Sequence, residues 1–408
     1  MGSINTIKTS KSGGRPPGKI EASLNKRLLS VKWGEYELQQ LFDITGTKSL
    51  DSNAIDFTDT GVNFVGRTFE NNGIQGKIQR REFEPNEPYT ITATVIGNYK
   101  YVKYQTEEYY CSQNINKLSP RNIFQKWNKR IAYFMIANIQ RFVSLYDGQQ
   151  GGYKLEDIKQ HKIKLPLKNG EIDFDFMESF IAELEVQRIA ELSAYLKVSG
   201  FDNCKLSNEE LKTLQKFAKL GDDNWGTYTV GNLFEKVTTK KLPYKAKELP
   251  KQPTDDCVLP CLTSSFQNQG LNYYAPKAGA TVISDVISLP SNSDVYRAYY
   301  QSRDFTVLSD SYAIQWKLAY NKPTPNQYLF MVMCINKVTD LPIYSYKNKL
   351  GGWNVVKHKE IRLPEKDGKI DFAFMDTFIS AIKKLAIKDV VKYSDAKIKA
   401  TKKIVNKS

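Results

Sequence analysis

Histidine is almost absent from this 408-residue sequence, which holds just His161 and His358. Each stands shortly before a Leu-Pro pair, far from the other in sequence, with no nucleophile or ligand set beside it. Both read as structural or surface residues rather than acid–base or metal groups. Cysteine is sparse too: Cys111, Cys204, Cys257, Cys261 and Cys334 form an odd, scattered set that fits a reducing compartment better than a disulfide frame. Cys257 and Cys261 stand four apart, but no second Cys or His pair completes a zinc set. No window approaches the roughly 18 uninterrupted apolar residues of a membrane span, and the first residues lack a signal-peptide core. No G-x-G-x-x-G follows a strand, and there is no G-x-x-x-x-G-K-[ST] phosphate loop. Asn-Glu-Pro-Tyr at Asn86–Tyr89 has one proline too few for the Asn/Asp-Pro-Pro-aromatic motif of a methyltransferase acting on an exocyclic amine. The expectation is a non-catalytic, cytoplasmic protein without cofactor or metal.

Positive charge is what the sequence has in excess. With 59 Lys and Arg against 44 Asp and Glu, the formal net charge is +15, which points to a polyanionic partner, nucleic acid first. The first 32 residues carry seven Lys/Arg against one Glu, and Lys383–Lys407 holds nine lysines against two Asp. "GGRPPGK" at Gly13–Lys19 suits a flexible basic arm, of a kind that elsewhere inserts an Arg into a minor groove. Composition is otherwise that of a folded protein, 41% hydrophobic and 12% aromatic, and the length favours two domains.

The text of the chain repeats. "NGEIDFDFMESFI" at Asn169–Ile181 returns as "DGKIDFAFMDTFI" at Asp367–Ile379, and "WGEYELQQLF" at Trp33–Phe42 as "WGTYTVGNLF" at Trp225–Phe234. "YFMIANIQRF" near Phe134 is echoed by "LFMVMCINKV" near Phe330, and "GGYKLEDIKQHKIKLP" by "GGWNVVKHKEIRLP", ending at Pro166 and Pro364. The shared order and nearly constant offset mark a tandem duplication. Between these anchors, Asp43–Trp127 and Glu235–Gln327 share little beyond "NNG" (Asn71–Gly73) against "NQG" (Asn268–Gly270) and a faint match of Cys111–Leu118 with Leu308–Trp316. Both interiors read as short aromatic-rich strands, clearest at Tyr89–Gly97 and Ala280–Leu289.

Each repeat closes on a helix entrance, with Asp173 or Asp371 as a cap or first-turn carboxylate. Met177, Ile181, Leu184, Ile189, Leu192 and Leu196 recur at helical spacing after the first, and Met375, Ile379, Ile382 and Leu385 after the second. Such a stripe serves packing on the helix's own domain or pairing with the other helix. Ser207 and Glu210 form a capping-box pattern ahead of a shorter helix in "SNEELKTLQKFAKL".

This order of variable β-rich region, retained helix, variable β-rich region and retained helix resembles the DNA-specificity subunits of type I restriction–modification systems. It is similar, too, to the separate specificity subunits of type IIB systems. The resemblance implies an α+β fold in which two tandem target-recognition domains alternate with two long helices paired as an antiparallel coiled coil, pseudo-two-fold symmetric. On that pattern the basic arm spans 1–32, the first recognition domain 33–170, the first spacer helix and linker 171–224, the second recognition domain 225–368, and the second spacer helix with a basic tail 369–408. Met177, Ile181, Leu184 and Leu192 would then pack against Met375, Ile379, Ile382 and Leu385. Members of the family place a partner adenine-N6 DNA methyltransferase on a split duplex target, and often a nuclease; two methyltransferase copies are implied, with S-adenosylmethionine bound by that partner. The arm and the rather short spacer helices depart from the family pattern.

The physics of such a reader is consistent. A helix over Asp173–Val198 would be on the order of 39 Å long, close to one turn of B-DNA, so two domains could read segments one helical turn apart across an unread gap. Phosphate contacts need Lys and Arg, and base edges need polar side chains. The candidates are Arg67, Lys77, Arg80, Arg81, Lys100 and Lys103 in the first half, and Ser264, Ser265, Gln267, Asn268, Arg297, Arg303, Lys347 and Lys349 in the second. Three other readings fit parts of the sequence. A nuclease with scattered metal ligands would cut DNA, a single-strand binder would stack bases on the tyrosines, and a carbohydrate binder would show salt-insensitive affinity.

Overall fold

The computed structural model describes residues 19–219, 221, 224–318 and 322–405. Most of the Gly13–Lys19 stretch and the last residues of the basic tail lie outside them. Among the described residues the chain divides into two compact units, the first made of the residues up to Leu192 together with Thr401–Val405, the second of Ser193–Ala400.

In the first unit, helix α1 (Lys19–Ser30) leads into β1 (Lys32–Glu37), which pairs antiparallel with β9 (Lys162–Lys168), setting Trp33 opposite Pro166. A four-stranded sheet has the order β2 (Phe42–Gly46), β8 (Ile115–Pro120), β5 (Thr90–Thr94), β6 (Val102–Gln105). A second sheet joins β3 (Val62–Val65) to β4 (Ile74–Ile78) antiparallel and to β7 (Tyr109–Ser112) parallel. Helix α2 (Lys129–Val143) is capped by the Asn128 side chain and presents Ile131, Met135 and Ile139 to the core.

The second unit repeats this framework, except that the short strand Ser49–Leu50, which pairs parallel with β7 at the edge of the first domain's second sheet, has no counterpart among the described residues of the corresponding sheet. β10 (Trp225–Thr229) pairs with β18 (Glu360–Lys366), setting Trp225 opposite Pro364. The four-stranded sheet runs β11 (Phe234–Lys236), β17 (Ser311–Trp316), β14 (Val286–Pro290), β15 (Tyr299–Gln301). The remaining sheet joins β12 (Leu259–Leu262) to β13 (Leu271–Ala275) antiparallel and to β16 (Thr306–Val307) parallel. Even the irregularity is shared: the β3–β4 register shifts between Phe64 and Val65, and the β12–β13 register between Cys261 and Leu262. Helix α5 (Pro325–Thr339) takes the place of α2, with Thr324 and Gln327 closing a capping box and Pro325 at its first turn. The interiors, which share little sequence, therefore share topology. One expected strand is shorter than anticipated: of Ala280–Leu289, regular pairing begins at Val286, after Asp285 takes a positive φ of 54°.

The duplicated opening words are a hairpin feeding a helix. Asn169-Gly170 and Asp367-Gly368 have positive φ at both positions, the two-residue turn that suits twisted antiparallel strands. Asp173 Oδ1 then accepts from the Phe176 amide at 2.8 Å to start α3 (Phe174–Val198), and Asp371 Oδ1 from the Phe374 amide at 2.9 Å to start α6 (Phe372–Val405). Two expectations need correcting here. Met177 and Ile181 belong to the core of the first domain, with Leu184 packed against it, and Met375 and Ile379 to the core of the second. The first turns of each helix thus spend their apolar stripe on their own sheets. Leu192 is half-buried, while Ile382 and Leu385 stay 39% and 42% exposed.

The second correction concerns the arm. Lys19–Ser30 is a helix that packs on the start of α3: Arg27 pairs with Glu183, donates to Ser179 Oγ at 2.9 Å and lies 5.2 Å from the Phe176 ring centre. Helix α4 (Asn208–Lys219) does the same on α6. Phe217 meets Phe378 at 4.3 Å between ring centres, Lys216 lies 5.2 Å from the Phe374 ring, and Lys384 pairs with Glu210 at 2.9 Å. Phe176 and Phe374 hold equivalent places, as do Phe180 and Phe378. The repeating unit is therefore helix, domain, helix, and α1 is the first copy of a leading helix.

Candidate nucleic-acid interface

One feature recurs on the variable face of both domains. Between β3 and β4 the chain makes a tight turn, Phe69-Glu70-Asn71-Asn72-Gly73, and between β12 and β13 its counterpart is Phe266-Gln267-Asn268-Gln269-Gly270. Asn71 and Asn72 have φ of 41° and 56°, and Asn268 and Gln269 have 47° and 56°. Two successive non-glycine residues in the left-handed region cost about 1–2 kcal/mol apiece, least for Asn, so the turn must be fixed from outside.

It is fixed in the same way twice. The Gly66 amide donates to Gly73 O at 2.8 Å, and the Thr263 amide to Gly270 O at 2.9 Å. Gln105 Nε2 donates to Asn72 O at 3.3 Å and to Thr92 Oγ1 at 3.1 Å; Gln301 Nε2 donates to Gln269 O at 3.1 Å and to Ser288 Oγ at 3.0 Å. The carbonyl of the leading Phe is held by different chemistry in each copy. Lys103 Nζ reaches Phe69 O at 3.3 Å, whereas the Tyr299 hydroxyl donates to Phe266 O at 2.9 Å. The result is a stiff tip whose Phe side chain stays in solvent, 62% exposed at Phe69 and 49% at Phe266.

The sequence candidates divide around these tips. Arg67 is exposed two residues before the first tip, Lys77 and Arg81 are exposed towards and beyond the far end of β4, and Gln267, Asn268 and Arg303 are exposed in the second domain. Ser264 and Ser265 are half-buried; they line, with Phe266, Gln267 and Tyr346, a groove of about 550 Å³ that draws in the loop bearing exposed Lys347 and Lys349. Lys349 lies 4.7 Å from the Tyr346 ring centre. Lys100 is a correction: it is 1% exposed, and its ammonium donates to the carbonyls of Gly97, at 3.1 Å, and Tyr146. A cation so enclosed satisfies backbone acceptors and does not reach a phosphate. Lys103 is half-buried and turned to the tip. Arg80 is bound by Glu108 at 2.6 Å and Glu84 at 3.2 Å, and Arg297 by Asp340 at 2.6 Å, so both side chains are already paired with carboxylates.

The sequence marks the Asn71–Gly73 and Asn268–Gly270 turns but not Phe69, Glu70 or Phe266 beside them. The signal was present, since Phe-x-Asn-x-Gly occurs in both copies, but exposure of an aromatic ring is not written in one dimension.

Among the described residues, nothing in this geometry assembles a reaction centre. Burial pushes the thiols of Cys111, Cys261 and Cys334 up to about 12, leaving them un-ionised at neutral pH. Burial also lowers the pKa of His161, whose ring packs 4.4 Å from that of Phe142. Among the described residues, no group of three or more His, Cys, Asp or Glu could hold a metal ion, and no helix is long and apolar enough to cross a membrane.

Comparison with known proteins gives this architecture its family. The model of the type I restriction modification DNA specificity domain matches twice, over residues 30–194 and 222–393. The specificity subunit S.BcgI of a type II restriction enzyme from Heyndrickxia coagulans is 21% identical over 355 residues, covering 86% of this chain and 94% of that protein. The crystal structure of a type I restriction-modification S subunit from M. genitalium superposes with a TM-score of 0.52 at 13% identity, covering 93% of this chain and 95% of that one, which supports a common fold. The chain therefore belongs to the type I restriction modification DNA specificity family, carrying the domain twice in tandem as a non-catalytic, DNA-recognising specificity subunit of a restriction–modification system.

Proposed function

We propose that each domain reads its own short segment of duplex DNA, so that the whole target is bipartite with an unread gap. The observation that carries this reading is the pair of equivalent tips, alike in backbone and in the Gln and main-chain bonds that brace them, which carry Glu-Asn-Asn in one domain and Gln-Asn-Gln in the other. A shared frame with different side chains is what two different half-sites require. Helices α3 and α6, about 38 Å and 51 Å long, serve as the spacers that set the gap.

The bound subunit places a partner adenine-N6 DNA methyltransferase on the target, one copy per half-site, and in some assemblies a nuclease as well. The partner binds S-adenosylmethionine and flips the adenine. Support comes from the family and from the absence of a methyltransferase motif in the sequence. Exchanging Asp43–Trp127 for the matching region of another specificity subunit tests the reading, with methylated adenines mapped in cells carrying the gene and its neighbours. One half of the methylated sequence should change; alteration of both halves would refute domain-by-domain recognition.

A further inference from the structure

The aromatics at the two tips stay largely in solvent. Phe69 rests on Tyr101, 6.2 Å between ring centres, and is 62% exposed; Phe266 lines the groove and is 49% exposed. Several other large aromatics are exposed, such as Phe57, Tyr99 and Tyr346. These two differ in recurring at equivalent places, each on a turn of left-handed residues braced at both ends by a buried or half-buried Gln and a donor to the Phe carbonyl. Backbone strain paid for twice, in domains whose surrounding sequence has diverged, implies that the position of the ring matters. The neighbours say what the ring meets. The flanking side chains are Glu70, Asn71 and Asn72 in one copy, where the Asn71 and Asn72 amides donate to the carbonyls of Ile74 at 3.1 Å and Tyr104 at 2.9 Å, and the exposed Gln267, Asn268 and Gln269 in the other, polar groups of the kind that suit base edges; exposed Arg67 lies two residues before the first ring. A rigid apolar group framed by polar side chains fits the major groove, where the sole apolar feature of a base edge is the 5-methyl of thymine. The narrow minor groove offers no methyl and a degenerate pattern of acceptors.

We propose that Phe69 and Phe266 are specificity-determining residues, each packing its ring against a thymine 5-methyl group in its own half-site. This rests on the half-site reading above and refines it to one contact per domain.

The experiment uses the full chain with its methyltransferase and a duplex carrying the mapped target. Each thymine of the first half-site is replaced in turn by uracil, which lacks the methyl and keeps every hydrogen-bonding group. Wild type should lose roughly ten-fold in affinity at one such position, the scale of a single lost base contact. Phe69→Ala should show the same loss on the natural target and no further loss on that uracil duplex. Its affinity for unrelated DNA and its salt dependence should stay at wild-type values. Phe69→Leu, which keeps an apolar contact, should recover most of the loss, and Phe266→Ala should behave likewise toward the second half-site alone. Both rings are exposed, so these variants fold. The proposal is overturned if Phe69→Ala binds the target as wild type does, if it loses unrelated DNA equally, if uracil losses add to its own, or if the half-site contains no thymine. Failure of the underlying reading looks different: wild type itself would then not distinguish the target from a scrambled duplex.

Discussion

Gln105 and Gln301 occupy the same place in two domains that have little sequence in common around them, each donating its side-chain amide to a turn carbonyl and to a hydroxyl of the neighbouring strand. Each ties a recognition tip to the rigid sheet behind it. Replacing Gln301 by Leu removes both donors while filling similar space. The Gln269 carbonyl and Ser288 hydroxyl then lose a partner, at a cost of about 1–3 kcal/mol confined to the second domain. Selection from a random duplex library should show a relaxed second half-site and an unchanged first. Relaxation of both halves would mean that the Gln acts through the fold as a whole.

Glu210 gives an acid-dependent element. Burial pushes its carboxyl up, but the Ser207 amide, Lys384 and Ser380 outweigh this and hold it at about 2, against an ordinary 4.5. A carboxylate with a depressed folded pKa contributes stability that is fully present above the ordinary value and is lost as pH falls from about 4.5 towards 2. Glu210→Gln should therefore be less stable than wild type at pH 7, by about 1–3 kcal/mol, with the gap closing through that window. Urea unfolding at a series of pH values checks this; a gap independent of pH would show that the ionised form contributes nothing.

Two lysines of the first domain should part company. Lys77 is exposed on β4, so Lys77→Ala should weaken binding to all duplexes alike and reduce the salt slope by about 1 if it neutralises one phosphate. Lys100 is enclosed, so Lys100→Ala should lower the melting temperature by leaving the Gly97 and Tyr146 carbonyls without their donor. Its salt slope should match wild type. A slope reduced equally in both variants would place Lys100 on the DNA after all.

The leading helix α1 is a structural part of the first domain. Arg27→Ala removes a Glu183 pair, a Ser179 contact and a cation over Phe176, and should cost about 1–2 kcal/mol. Deleting residues 1–30 should lower the first unit's melting temperature by several degrees more, because Phe176 and Phe180 lose their cover. If the deletion left stability unchanged, α1 would be dispensable to the fold.

What the sequence determined by itself was everything set by local pattern. The duplication, the Ser207–Glu210 capping box, the Asp173 and Asp371 caps and the long helix over 174–198 are contacts between residues a few positions apart, and spacing encodes them. The missing catalytic motifs were legible for the same reason. The tertiary structure alone decided matters of long-range contact. It put Lys100 inside while Lys77 stayed out, engaged Arg80 with Glu108 across 28 residues, and turned Met177 and Met375 into their own domains. It also showed that interiors with little common sequence pair their strands in one order. Strand pairing is carried by backbone groups that every residue has, and the side chains that vary are those free to face outward. For that reason the tips could diverge from Glu-Asn-Asn to Gln-Asn-Gln while the frame beneath them stayed the same.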